Sequence, residues 1–214
     1  MLTREQFLLG EIRSIATLRF EGLTDSAILY LVENDNIFQY ATSSQTRRIA
    51  QCCFRRLDSL EGLCSGRLAL LLANGLGTHA QAAQINLYAM SRCYGLMRRF
   101  LLEEVAERYR TLDLSITRMD LNAFFSRLAE RDASAARWTE STVKKLKTVL
   151  RSSLAQAGIL QNARSETMQP IVIDPTLERA MREAGDQALL PAFNCFSKNP
   201  LPSAQTSDME EVFA

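Results

Sequence analysis

The sequence predicts a mainly α-helical protein with two helix-turn-helix units, the second winged by a short β-hairpin, joined by a central helical region. Three observations lead there. Across 214 residues, 47% apolar content with only nine glycines and five prolines favours a helix-rich fold with a substantial core. Apolar residues recur at the 3.6-residue helical period through most of the chain. Two basic amphipathic helices also present related outer faces: adding 97 to Ser44, Arg47, Arg48, Gln51 and Arg55 gives Ser141, Lys144, Lys145, Thr148 and Ser152, four pairs keeping their polar or basic type and the fifth exchanging Arg for Ser.

In chain order, Thr3 is expected to cap a first helix reaching about Phe20, with Phe7, Leu8, Ile12, Ile15 and Leu18 inward. Thr24 or Asp25 opens a short helix with Ala27, Ile28 and Leu31 inward, ended by Asn34-Asp-Asn36. Thr42-Ser-Ser-Gln45 has capping-box spacing, and Thr46, Ile49, Ala50, Cys53, Leu57 and Leu60 form the buried stripe of the next helix. Gly62 breaks the chain before a leucine-rich helix, Arg67 to Ala73. From Leu68 to Ser91 no residue carries a full charge, yet Asn74, Gly75, Gly77, His79, Gln81, Gln84 and Asn86 lie inside the window. That argues against a membrane span and for a central buried pair of helices, the second running from His79 or Ala80 to about Arg108.

The second unit begins with a helix capped by Asp120, whose Leu121, Phe124, Phe125 and Leu128 share one face. Its recognition helix follows Thr139, with Trp138 and Val143 spaced as a hydrophobic staple and Leu146, Leu150, Leu154 and Ala157 as the inward stripe. Gly158 ends that helix. Ile159–Gln161 and Ile171–Ile173 then read as hairpin strands around the polar turn Asn162–Glu166. Asp174-Pro175 caps a last helix, expected to pack across the winged unit and to stop at Pro191. This divides the chain into 1–112, containing the first helix-turn-helix at about 24–60, then 113–196, then a flexible acidic tail at 197–214.

The net charge of +1 conceals strong segregation. Ser43 to Leu57 holds Arg47, Arg48, Arg55 and Arg56 without an acid; Arg137 to Arg151 holds five cations against Glu140. From Glu166 onward, eight acids outnumber three bases. Local contact with a polyanion needs such patches rather than a high overall charge. Helix surfaces locked to a core on one side, with short polar and long basic side chains on the other, suit the major groove of a duplex. The expected DNA contacts are Arg47, Arg48, Gln51 and Arg55 on the first unit, and Ser141, Lys144, Lys145, Thr148 and Arg151 on the second, with Arg164 in the wing. Neutralising roughly six phosphates would give a log affinity against log salt slope of about −5. Few bidentate readers such as Asn face outward, so sequence preference should be weak.

Catalysis is not expected. The single histidine, His79, lacks Cys, Asp or Glu at ligand spacing, and no Walker loop, GxGxxG or GxSxG occurs. Five cysteines, odd in number and without a CxxC pair, suit reduced core thiols of a cytoplasmic protein, with no metal, cofactor or small-molecule substrate. Met1–Gly10 has acid and base but no apolar run, unlike a secretory leader. Arg92, Arg98 and Arg99 could line a groove or pair with Glu103, Glu104 and Glu107, which otherwise read as a solvated face.

Two stretches, TRRIAQCCFRRL (Thr46–Leu57) and WTESTVKKLKTVLRSSLAQAGIL (Trp138–Leu160), resemble the BrxA family, small components of the bacterial BREX phage-defence systems. The resemblance covers roughly residues 1–190 in length and helix order and fades in the tail. It implies a non-enzymatic, mainly helical, cytoplasmic protein that binds double-stranded DNA and acts with other BREX components, including a methyltransferase and large ATPase subunits. The alternative is an adaptor whose winged units bind other defence-complex subunits, since the fold alone does not decide function. RNA binding is disfavoured because few aromatic platforms accompany the basic residues.

Overall fold

The computed structural model describes residues 6–196 and is mainly helical. The expectations for Thr3 and for the acidic tail lie outside the described residues. The first helix, α1 (Leu9–Phe20), starts later than its periodicity suggests. Leu8 adopts a left-handed conformation, and the Phe7 carbonyl is held by the side chains of Arg56 (2.6 Å) and Asn86 (2.6 Å), which keeps this segment out of the helix.

Helix α2 (Asp25–Asn34) is capped by Thr24 and buries Ile28 and Val32; Ala27, expected inward, is exposed. Helix α3 (Ser43–Asp58) is capped by Thr42, and its whole expected stripe from Thr46 to Leu60 is buried. Both pack together and against α1. The next helix, α4 (Arg67–Leu70), is a single turn rather than the two expected. Leu72 and Ala73 close into tight turns, and Gly77 follows where any Cβ would lie 2.1 Å from the Leu71 carbonyl oxygen.

The centre is α5 (His79–Cys93), opened by a Thr78/Gln81 capping box. Residues 82–91 are all buried, although Gln84, Asn86, Tyr88 and Ser91 carry polar groups. Each finds a partner, as buried polar groups must. Gln84 donates to the Val172 carbonyl (2.9 Å) and accepts from the Asp174 amide (3.0 Å). Asn86 meets Phe7 and Arg56, Ser91 donates to the Tyr88 carbonyl, and the Tyr88 hydroxyl donates to Asp186 (2.8 Å). His79 sits exposed at the helix start.

The expected unbroken helix to Arg108 is interrupted at Tyr94, which is extended (φ −129°, ψ 108°). Its hydroxyl bonds back to Cys52 and Arg55 on α3, and helical geometry resumes at Gly95. The chain then continues as α6 (Gly95–Phe100), a π-helical turn (Leu101–Val105) and α7 (Ala106–Thr111).

Helices α8 (Arg118–Arg131) and α9 (Glu140–Gln156) form the second basic unit. Thr117, not Asp120, is the cap of α8; Asp120 completes its capping box and also pairs with Arg108. After α9, antiparallel bridges join Leu160 to Met168 and Ser115 to Thr167. The expected pairing of Ile159–Gln161 with Ile171–Ile173 is therefore displaced: its partner is Met168, whose apolar side chain is buried. Beyond Pro170, the carbonyls of Ile171 and Val172 are taken by Asn194 and Gln84 instead.

Helix α10 (Pro175–Glu183) opens at Asp174 with proline in its first turn, but ends at Ala184 and Gly185 rather than continuing to Pro191. It packs on α4 and the preceding turn, not across α8 and α9. The 3₁₀ segment Gln187–Phe193 then covers α7 and the π-helical turn. Among the described residues, no helix is long and apolar enough to cross a membrane.

Asp186 gathers Tyr88, Arg92 (2.7 Å) and Arg98 (2.7 Å), two of the arginines considered for a groove. Glu104 is likewise buried, between Arg108 and Arg127, rather than part of a solvated face. Burial opposes the Asp186 charge, yet the Tyr88 hydrogen bond and the two arginines hold its pKa below the ordinary value. Its ionised form therefore stabilises the fold above the unfolded carboxylate pKa of about 3.9, and that contribution disappears as pH falls through the lower folded value. Asp186→Asn is expected to lower Tm at pH 7 by roughly 3–10 °C. The gap to the parent should narrow below about pH 3.9; thermal melts from pH 7 to 2 check both outcomes.

Candidate nucleic-acid interface

Helix α9 is placed from both ends. Thr139 accepts from the Thr142 amide (3.2 Å), Glu140 lies in the first turn, and Gly158 closes the C-terminus in the left-handed conformation. The Trp138 ring rests on Phe125 at 6.3 Å between centroids, and Phe125 in turn meets Phe124. Leu146, Leu150, Leu154 and Ala157 are buried as expected. With that face fixed, Ser141, Lys144, Lys145 and Thr148 stand exposed, while Ser152 is half-buried.

Beside α9, a groove of about 470 Å³ runs between the start of α8 and the turn at 162–165. Five cations line it: Arg118, Lys144, Lys147, Arg151 and Arg164. No acidic residue does, and among the described residues none of the five forms an ion pair. Lys147 donates to the Asn122 side-chain carbonyl (2.6 Å) and lies over the Phe125 ring, which positions its charge without cancelling it. Arg151 donates to the backbone carbonyls of Ala163 (2.9 Å), Ile116 (3.2 Å) and Ser165 (2.7 Å). Of the expected contacts, the structure thus brings Lys144, Thr148, Arg151 and Arg164 together, with exposed Ser141 and Lys145 outside the groove lining.

Arg118, Asn122 and Lys147 were not among the expected contacts. A signal existed: Arg118 and Asn122 are four residues apart on the polar side of a helix whose apolar stripe is plain in the sequence.

The first unit differs. Arg48 and Gln51 are exposed on α3, but Arg47 makes a two-pronged hydrogen-bonded ion pair with Glu33 of α2. That partner holds the Glu33 pKa down and the Arg47 pKa up. Arg55 donates to the Tyr94 hydroxyl (2.8 Å) and lies over that ring. Arg56, part of the basic run, is fully buried against Phe7, Asn86 and Gln6. The two faces that match in sequence therefore carry different net fields. Among the described residues, no group of three His, Cys, Asp or Glu side chains is arranged to hold a metal ion.

The BrxA family model matches residues 1–185. The chain belongs to the BrxA family. It is 26% identical over 178 residues to a protein of Bacillus cereus (strain H3081.97) described as BREX protein BrxA, spanning 82% of this chain and 86% of that one. The fold is also similar to the crystal structure of an uncharacterized protein from Magnetospirillum magneticum, with a TM-score of 0.74 at 20% identity over 90% of this chain and 95% of that one. The two chains therefore share a fold at low sequence identity.

Removing the cap tests how α9 is held. Thr139→Ala should destabilise the protein by about 1 kcal/mol and speed amide exchange selectively at 140–143, as measured by denaturant unfolding and hydrogen exchange.

Proposed function

We propose that this chain binds double-stranded DNA with weak sequence preference, through the groove formed by α8, α9 and the turn at 162–165. We read α8, α9 and the two β-bridges as a winged helix-turn-helix, and α2 and α3 as the related unwinged unit. Membership of the BrxA family, and the description of the Bacillus cereus relative, support a role in bacterial BREX phage defence. We read the DNA binding as serving that role, alongside other BREX proteins in the cytoplasm.

The observation that carries the reading is the set of five cations lining one groove with no carboxylate to oppose them. Such a surface attracts phosphates and releases counterions on contact. Weak sequence preference follows from how the groove's polar groups are used. The Asn122 carbonyl is engaged by Lys147, and the Thr148 hydroxyl donates to the Lys144 carbonyl, which leaves few groups to read base edges in pairs. The self-paired first unit makes a different contribution. With Tyr30 66% and Ile37 42% exposed beside it, that unit is better suited to contact a protein subunit, the adaptor role confined to one half of the chain.

Fluorescence anisotropy with a short duplex, repeated across salt, tests this. With roughly four phosphates neutralised, log affinity should fall with log salt at a slope of about −3.6. Lys144→Glu/Lys145→Glu should weaken binding at least about tenfold at low salt, whereas Arg47→Glu/Arg48→Glu should change it less than about threefold. Parental affinity in the lysine double variant would remove α9 from the interface.

A further inference from the structure

Arg151, one of the expected DNA contacts, is half-buried in the groove wall and also uses all three of its guanidinium nitrogens inside the protein. Nε, Nη1 and Nη2 each donate to a different backbone carbonyl, those of Ala163, Ile116 and Ser165. Two of these carbonyls belong to the turn that follows α9, and the third lies just before α8. One side chain thus ties the recognition helix to both neighbouring segments.

The turn has its own internal brace. Asn162 accepts from the Arg164 amide (2.8 Å) and the Ser165 amide (2.9 Å) through one carboxamide oxygen. Backbone bonds from Ile116 to Glu166 (2.7 Å) and from Met168 to Leu114 (2.9 Å) fasten its far side. Without Arg151, nothing in these bonds would fix the 163–165 backbone against α9. That backbone carries Arg164, whose exposed side chain lies at the rim of the groove opposite α8.

We propose that Arg151 is a positioning residue: it clips the 162–165 turn onto α9 so that Arg164 reaches a backbone phosphate of a duplex lying in the groove. This inference rests on the duplex-binding reading above. A lysine could not replace the clip, because a single ammonium lacks the planar, divergent donors that reach three carbonyls at once.

Salt-dependent titrations of the full-length protein with one duplex, combined in a double-mutant cycle, test the assignment. Arg164→Ala should weaken binding about three- to tenfold and reduce the magnitude of the salt slope by about 0.9, the loss of one phosphate contact. Arg151→Lys should produce the same loss despite keeping its charge, and should add less than about twofold in the Arg164→Ala background. Asn162→Ala, which loosens the turn without touching α9, should behave like Arg151→Lys and provides a second route if the Arg151 variant does not fold. Full additivity of the Arg151 and Arg164 effects, or parental binding by both Arg151→Lys and Asn162→Ala, would overturn the proposal. So would a lower melting temperature with an unchanged salt slope. Lys144→Glu/Lys145→Glu, run alongside, separates the two levels: if it binds like the parent, the duplex reading itself fails; if it is weakened while Arg151 and Arg164 act independently, only the clip fails.

Discussion

Burying a helix that carries polar side chains is the constraint on which the rest of this structure depends. Helix α5 passes through the centre with Gln84, Asn86, Tyr88 and Ser91 out of water, and an unsatisfied group there would cost about 1–3 kcal/mol each. Ser91 turns back to the Tyr88 carbonyl, but the other partners come from segments far away in sequence. Phe7 and Arg56 answer Asn86, the 172–174 backbone answers Gln84, and Asp186 answers Tyr88. Satisfying one helix therefore fixes where the first described residues, α3 and the C-terminal segment must lie. It also explains why α10 returns to α4 instead of covering α8 and α9.

The same rule decides which cations remain available for a ligand. Arg56, Arg92, Arg98 and Arg108 are consumed by the interior or by carboxylates at its edge, and Arg47 is matched by Glu33. Around α9 the donors that are used go to neutral acceptors, Asn122 and three carbonyls, so geometry is fixed while positive charge is kept. Two helices whose outer faces match in type at four of five positions thus end as unlike surfaces. A duplex would sense the field around α9, while α3 offers a partly neutralised face with nearby apolar side chains.

Much of this was legible where the governing interactions are local. Caps at Thr24, Thr42, Thr139 and Asp174, and the buried stripes of α3 and α9, follow from spacing within one or two turns. The errors arise where a distant group decides. Tyr94 breaks a helically periodic stretch because its hydroxyl is bound to α3, some forty residues away. Arg56 reads as part of a basic surface until the Phe7 carbonyl takes it inward. The partner of Leu160 is set by two isolated bridges, too short to leave an alternating pattern, and by the competing claim of Gln84 on Val172. In the candidate site, the α9 face was recoverable from periodicity and charge. The sequence shows that Arg118 and Asn122 share the polar side of α8, but not that this side faces α9, because only the fold brings the two together.

The central claim is that the carboxylate-free groove between α8, α9 and the 162–165 turn, and not the matching face of α3, receives the duplex. Hydrogen–deuterium exchange of the full-length protein with and without a short duplex reads this segment by segment. The account predicts slower exchange on DNA addition at 117–123, 140–148 and 162–166, with residues 44–51 unchanged. Slowing at 44–51 while 140–148 and 162–166 stay as in the free protein would contradict it.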